Sequence, residues 1–276
     1  MSIDPNARPV DDYTPDEMMT IAAARMLWQG CVCFVGIGTP SAAANLARLT
    51  HAPDIVLIYE SGTIGTKPNV LPLSIGDGEL AETATAIVSL PEIFSYWLQA
   101  GRVDVGFLGA AQIDRHGNLN TTVIGDYAKP VTRLPGAGGA PEIAHHAKQT
   151  FVVLKQSPRS FVAKLDFCSS GGFLGGNGER KRSGMPGAGP QVVITDYGVL
   201  KPAAGSQELT LVARYEHASV ENIRAATGWP LLVSESLEVI AAPTSEELRV
   251  LRDLHERTRI AHARPPNLIR NANAMT

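Results

Sequence analysis

Several things are scarce in this chain, and each scarcity removes a class of function. Net charge is small, at −3 from 24 Lys and Arg against 27 Asp and Glu, so neither nucleic acid nor an anionic membrane is an expected partner. Cysteine is rare. Cys31, Cys33 and Cys168 form an odd set without metal-ligand spacing, which excludes a disulfide scaffold, and no metal site is expected. Cys31 and Cys33 flank Val32 at strand period, which points to a buried structural role. No uninterrupted apolar run is long enough to span a bilayer. Met1-Ser-Ile-Asp-Pro-Asn6 lacks a basic stretch followed by an apolar one, so no signal peptide is read and a cytoplasmic location is expected. Aromatic residues make up only 6% of the chain.

What is plentiful is glycine (26) and proline (19), alongside 44% hydrophobic residues over a length of 276. That combination suits an α/β protein rich in functional turns, with a core large enough for one sizeable domain. Thr14-Pro15-Asp16-Glu17 has the form of a capping box with Pro at the first helical position, and Gly30 is expected to end that helix. Val32–Val35 reads as a strand, Gly36–Pro40 as a tight turn, and Ser41–Leu49 as a helix. Further short apolar strands are read at Ile55–Tyr59, Val103–Leu108, Phe151–Leu154 and Gln191–Thr195, with an amphipathic helix over Glu246–Arg259. The repeated strand–turn–helix order predicts an α/β fold, an open and mostly parallel sheet flanked by helices. A single domain over residues 1–263 is expected, with 264–276 as a disordered, Pro-containing tail.

Glu60 is the first candidate for chemistry. It closes the apolar run Ile55–Tyr59 and is followed at once by Ser61-Gly62. That places a carboxylate at the C-terminal edge of a buried strand, where open α/β sheets build their sites. A glutamate turned outward to cap a loop is the competing reading, and both stand at this point. Gly36-Ile-Gly38 follows a strand as a dinucleotide fingerprint would, but position 41 is Ser where the third glycine belongs. The consecutive glycines of Gly136-Ala-Gly-Gly-Ala140 expose main-chain N–H groups suited to an oxyanion, or else form a plain flexible turn. The stretch from Gly171 to Pro190 is Gly-rich and long enough to suggest a functional loop. Within it Arg180, Lys181 and Arg182 are either phosphate contacts or a solvated charge run. His116 reads as a surface residue of a polar turn, and His145 and His146 show no evident partners.

An ordered set of segments runs through the chain. Val35-Gly-Ile-Gly-Thr-Pro40, Glu60-Ser61-Gly62 and Gly109-Ala-Ala-Gln-Ile-Asp114 come first. Gly117-Asn118, Ile124-Gly-Asp-Tyr127, Gly136-Ala-Gly-Gly-Ala140 and Thr195-Asp-Tyr-Gly198 follow. Together, from about Tyr13 to Ala241, they resemble the β subunits of family I coenzyme A transferases, the glutaconate CoA-transferase group in particular. The resemblance implies that Glu60 is a nucleophile forming a glutamyl-CoA thioester in a ping-pong exchange of CoA between an acyl-CoA and a free carboxylic acid. It gives Gly138 and Gly139 the role of oxyanion donors, and it puts Ser61, Gly62 and the loop at Gly171 and Gly172 near substrate or CoA. A pyrophosphate contact from Arg180 is a further expectation, made from its charge alone. No tightly bound cofactor is implied, the CoA thioester being a substrate. A homologous α subunit would complete the site, in an α2β2 assembly or a multiple of it. Two alternatives accompany this reading: an acyl-CoA hydrolase or decarboxylase of the same fold, and a non-catalytic subunit completing a partner's site.

Overall fold

Thr14 opens the first helix as its spacing predicts. Its hydroxyl accepts a hydrogen bond from the Glu17 N–H at 3.2 Å, the Thr14 N–H donates to Glu17 Oε2 at 2.8 Å, and Pro15 takes the first helical position. This is α1 (Pro15–Arg25) in a computed structural model that describes residues 12–263; the expected tail at 264–276 lies outside the described residues. The helix stops at Arg25, short of Gly30, whose positive φ of 75° serves instead the turn into the first strand.

The chain continues with β1 (Val32–Phe34), α2 (Thr39–Leu49), β2 (Val56–Ile58), β3 (Thr63–Ile64), α3 (Gly78–Glu82) and β4 (Ala86–Ile87). A short α4 (Leu90–Glu92) runs into a π-helical turn over Ile93–Leu98, and β5 (Val105–Leu108) follows. Two small hairpins come next: β6 (Gln112–Ile113) with β7 (Leu119–Asn120), and β8 (Val123–Gly125) with β9 (Pro130–Arg133). The second half holds α5 (Ala140–His146), β10 (Gln149–Val153), α6 (Glu179–Arg182), β11 (Pro190–Ile194), β12 (Gly198–Pro202), β13 (Leu209–Arg214), α7 (Val220–Ala225), β14 (Leu232–Val239) and α8 (Ser245–His262).

Among the described residues, ten strands form one sheet in the order β14-β13-β12-β11-β10-β5-β1-β2-β3-β4. The five central strands, β11-β10-β5-β1-β2, are all parallel, while β3 and β4 at one end and β12 and β13 at the other add antiparallel pairs. Burial on both faces explains why the central strands read as continuous apolar runs. Their residues alternate between two cores. Cys33, Leu57, Phe107 and Phe151 pack with α1, α2 and α8; Phe34, Ile58, Leu108 and Val152 pack with α5 and the π-helical turn on the other face. The chain leaves β1 for β2 on one side and later places β5 on the other side of β1. A crevice at the strands' C-terminal ends is expected at such a reversal.

Candidate active site

The site begins with strand alternation. Tyr59 points to the α1–α2 face, is fully buried, and shares a 2.8 Å hydrogen bond between its hydroxyl and Ser41 Oγ. Burial pushes the Tyr59 hydroxyl up to about 12, against the Ser41 and Asn45 hydrogen bonds, so it stays protonated and holds the strand end from behind. The next residue, Glu60, falls to the opposite face. Gly62 N–H donates to Tyr59 O at 2.9 Å, so Glu60 and Ser61 are the central pair of a tight turn leading into β3. Gly62 closes that turn at φ 95°, and a Cβ there would lie 2.0 Å from the Val88 carbonyl oxygen. Gly62 is buried and faces Val88, which gives it a turn-forming role. Ser61 Oγ is buried without a hydrogen-bond partner among the described residues.

Glu60 is half-buried, and none of the ion pairs among the described residues involves it. Its carboxylate meets Gly139. A Cβ built on Gly139 would lie 3.0 Å from Glu60 Oε1 and 2.5 Å from Cζ of Phe94. The glycine segment, far from Glu60 in sequence, therefore arrives beside it, and the supporting structure is explicit. The Leu134 and Gly136 N–H groups donate to the Thr122 and Thr121 carbonyls at 3.1 and 2.9 Å. Ser169 Oγ in turn accepts from the Thr121 N–H at 2.9 Å and pairs with Thr122 Oγ1 at 2.6 Å. Gly139 caps α5, which lies so close to β5 that a Cβ on Gly106 would stand 2.3 Å from Ile143 Cγ2. The Gly138 and Gly139 N–H groups donate to no backbone carbonyl among the described residues. A carboxylate can attack an electrophilic carbonyl, and unpaired main-chain N–H groups can stabilise the oxyanion that forms.

The Gly171–Pro190 stretch is a folded knot rather than an open loop. Asn118 holds one end: its Oδ1 accepts from the Gly172 and Leu174 N–H groups at 2.8 and 3.1 Å, and its Nδ2 donates to Asp114 Oδ2 and the Leu174 carbonyl. Arg180, expected from its charge to meet a pyrophosphate, holds the other end and turns its guanidinium inward to main-chain carbonyls. It is 3% exposed. Its guanidinium donates to the carbonyls of Gly171, Gly172, Gly187, Ala144 and His145 at 2.6 to 3.2 Å, which consumes its donors. Burial pushes its pKa down to about 10, which still leaves it charged at neutral pH. Gly172 is buried as well, and a Cβ there would stand 2.3 Å from the Gly117 carbonyl oxygen. Both residues are buried within the scaffold of this loop, while Gly171 is half-buried on it. Lys181 and Arg182 are exposed, as a solvated run would be.

Other residues fall into place around this centre. His146 Nδ1 lies 3.0 Å from Glu142 Oε2 on α5, an i,i+4 partner that the sequence spacing offers once the helix is placed. Cys31 and Cys33 are fully buried; burial and then Asp104 push Cys31 up to about 12, which suits packing and not nucleophilic chemistry. Phe94 has no counterpart among the residues expected from sequence, because an aromatic in a helical stretch gives no sign of what its ring will face.

The family described as "Coenzyme A transferase" matches residues 16–226. The chain is 60% identical to the β subunit of 3-oxoadipate CoA-transferase from Pseudomonas knackmussii, over 91% of this chain and 96% of that one. It is 37% identical to the β subunit of glutaconate CoA-transferase from Acidaminococcus fermentans, over 88% and 92%. The crystal structure of the A. fermentans glutaconate enzyme superposes with a TM-score of 0.84 at 33% identity, covering 90% of this chain and 96% of that one. The decarboxylase AibA/AibB superposes at 0.75 with 27% identity, over 89% and 96%. The family match over residues 16–226 and these relatives show that the chain belongs to the coenzyme A transferase family.

Proposed function

We propose that this chain is the nucleophile-bearing β subunit of a two-subunit CoA-transferase that exchanges CoA between an acyl-CoA and a 3-oxo dicarboxylic acid such as 3-oxoadipate. The observation that carries the reading is the contact between the Glu60 carboxylate and Gly139, with the Gly138 and Gly139 N–H groups left for an oxyanion. The acid class rests on the 60% identity to the β subunit of a 3-oxoadipate CoA-transferase.

A Glu60 oxygen attacks the thioester carbonyl carbon, the C–S bond breaks, and CoA leaves as the thiolate, giving an acyl-glutamyl anhydride. The thiolate then attacks the glutamyl carbonyl and releases the first acid, leaving a glutamyl-CoA thioester. A second carboxylate reverses both steps and restores Glu60. A carboxylate is required because an anhydride and a thioester both retain the energy of the starting thioester. Splitting the exchange in this way predicts ping-pong kinetics. Each tetrahedral intermediate carries an oxyanion, which the Gly138 and Gly139 N–H groups stabilise. Ser61 and Gly171 stand as the substrate-side contacts of this chain.

The site is one-sided in the isolated subunit. Glu60 is half-exposed, and Ile87, Leu90 and Tyr96, on the segments beside its turn, are exposed apolar residues. An α subunit seated there buries them and closes the pocket, in an α2β2 assembly or a multiple of it. Peptide mapping by mass spectrometry of the co-expressed complex with succinyl-CoA tests the reading. A CoA adduct on Glu60 that 3-oxoadipate clears is expected. Glu60→Gln abolishes exchange while assembly persists; undiminished turnover by that variant would overturn the assignment.

A further inference from the structure

Phe94 belongs to the site, and neither its sequence context nor its relatives' names assign it a task. Its ring edge, Cζ and Cε1, would stand 2.5 and 3.0 Å from a Cβ on Gly139, the same point that lies 3.0 Å from Glu60 Oε1. The ring edge and the carboxylate therefore converge on one glycine. An aromatic edge carries the positive rim of the ring quadrupole, so this approach is compatible with a neighbouring anion.

The backbone is specially built to hold the ring there. Phe94 lies in a π-helical turn, Ile93–Leu98, whose Gln99 N–H donates to the Phe94 carbonyl at 2.8 Å. Ile93 and Leu98, five residues apart, would be about 140° apart around an α-helix. The wider turn brings both inward, and both are fully buried. The strand-side face of the ring is fixed by Phe34, with ring centroids 5.8 Å apart. The turn is anchored at its start, where Ser89 N–H and Oγ both donate to Glu92 Oε2 at 2.8 Å. Single π turns of this kind concentrate at functional sites.

Resting on the reading of Glu60 as nucleophile, we infer that Phe94 is a positioning residue that keeps water from the glutamyl adduct and so decides between transfer and hydrolysis. In the glutamyl-CoA thioester, water attack on the glutamyl carbonyl would form a C–O bond and break the C–S bond. It would return the Glu60 carboxylate, release CoA as thiol and liberate one proton. A carboxylate attacking the same carbon breaks the same C–S bond, expels CoA as the thiolate and gives the anhydride instead. An apolar ring packed on the glycine that the carboxylate also meets takes up space beside the adduct that water would otherwise fill, and excluding water from a reactive intermediate is a recognised way of preventing this loss.

The experiment compares wild type, Phe94→Ala and Phe94→Leu in the complex with the α subunit. Free CoA released is measured against new acyl-CoA formed, and the Glu60 adduct is followed by mass spectrometry. Phe94→Ala is expected to raise the fraction of turnovers ending in hydrolysis by about tenfold, with the adduct still forming. Phe94→Leu, which keeps an apolar side chain, recovers most of the transfer fraction. A structural role alone would lower both products together. An adduct that forms with an unchanged partition in Phe94→Ala overturns the inference about Phe94 and leaves Glu60 in its role. Absence of the adduct from the wild-type enzyme overturns the reading of Glu60, and the inference with it.

Discussion

Gly139 has no space for a side chain, because a Cβ there would lie 2.5 Å from Phe94 Cζ and 3.0 Å from Glu60 Oε1. Residues far apart in the chain are thus packed backbone against carboxylate. The backbone at Gly139 does not itself call for glycine. Its φ of −81° and ψ of −2° suit any residue, so closeness to Glu60 and Phe94 is what selects it. Gly138 differs: its φ of 51° is left-handed, and open space surrounds a Cβ there.

That contrast makes a ranking. Gly139→Ala pushes on Phe94 and Glu60 and, with Glu60 in its proposed role, is expected to lower kcat by roughly a hundredfold, the scale of a disturbed oxyanion site, while destabilising by about 1–3 kcal/mol. Gly138→Ala keeps its N–H and meets no clash, so it costs about 1–2 kcal/mol of backbone strain and much less activity. Steady-state kinetics and urea melts of both variants check the order; an equal or reversed effect on kcat refutes it.

Gly62→Ala tests the turn itself. A left-handed φ of 95° and a carbonyl oxygen 2.0 Å from the new Cβ both oppose it. The subunit is expected to lose roughly 3 kcal/mol or more of stability, read as a lowered denaturation midpoint before any assay of activity.

Arg180→Met removes the charge that ties five carbonyls together, two of them in α5 behind Gly139. Leaving several buried acceptors unpaired is expected to destabilise by about 3–5 kcal/mol. In the fraction that folds, the KM for acyl-CoA stays near the wild-type value. A stable variant with a strongly raised KM would instead restore a phosphate contact.

Acid should weaken the link between α1 and α8. Glu247 is 3% exposed and sits 2.7 Å from Arg25, which also donates to the carbonyls of Ala241 and Ala242. Burial raises the carboxyl pKa, but the Arg25 and Thr244 hydrogen bonds outweigh it and hold it below its ordinary 4.5. A depressed folded pKa contributes stability that is present above 4.5 and is lost as pH falls through the folded value. Glu247→Gln is expected to lower Tm at neutral pH and to flatten its fall in the acid range. Parallel Tm curves for the two proteins would show that this pair does not set the acid response.

The central architecture was legible because parallel strands buried on two faces leave uninterrupted apolar runs. The strands read at Val32, Ile55, Val103, Phe151 and Gln191 all fall in the parallel core. The antiparallel extensions at Gly198–Pro202 and Leu209–Arg214 and the edge strand Leu232–Val239 were not legible in the same way. The edge strand is largely exposed, and exposed strands need no apolar run. Arg180 misled for a related reason. Within a run of three cations, charge predicts solvent, and only the fold shows that five carbonyls surround one of them.

By itself, the sequence determined the α/β class, the strand ending at Glu60 and the ordered glycine segments that mark the family. These depend on local periodicity and on residue chemistry along the chain. The tertiary structure decided which glycine meets Glu60, that Gly62 and Gly172 are buried against neighbouring carbonyls, that five carbonyls surround Arg180, and that Phe94 meets the same glycine as Glu60. Such facts depend on distances between segments far apart in sequence, set by sheet order and helix packing, and no local pattern encodes them.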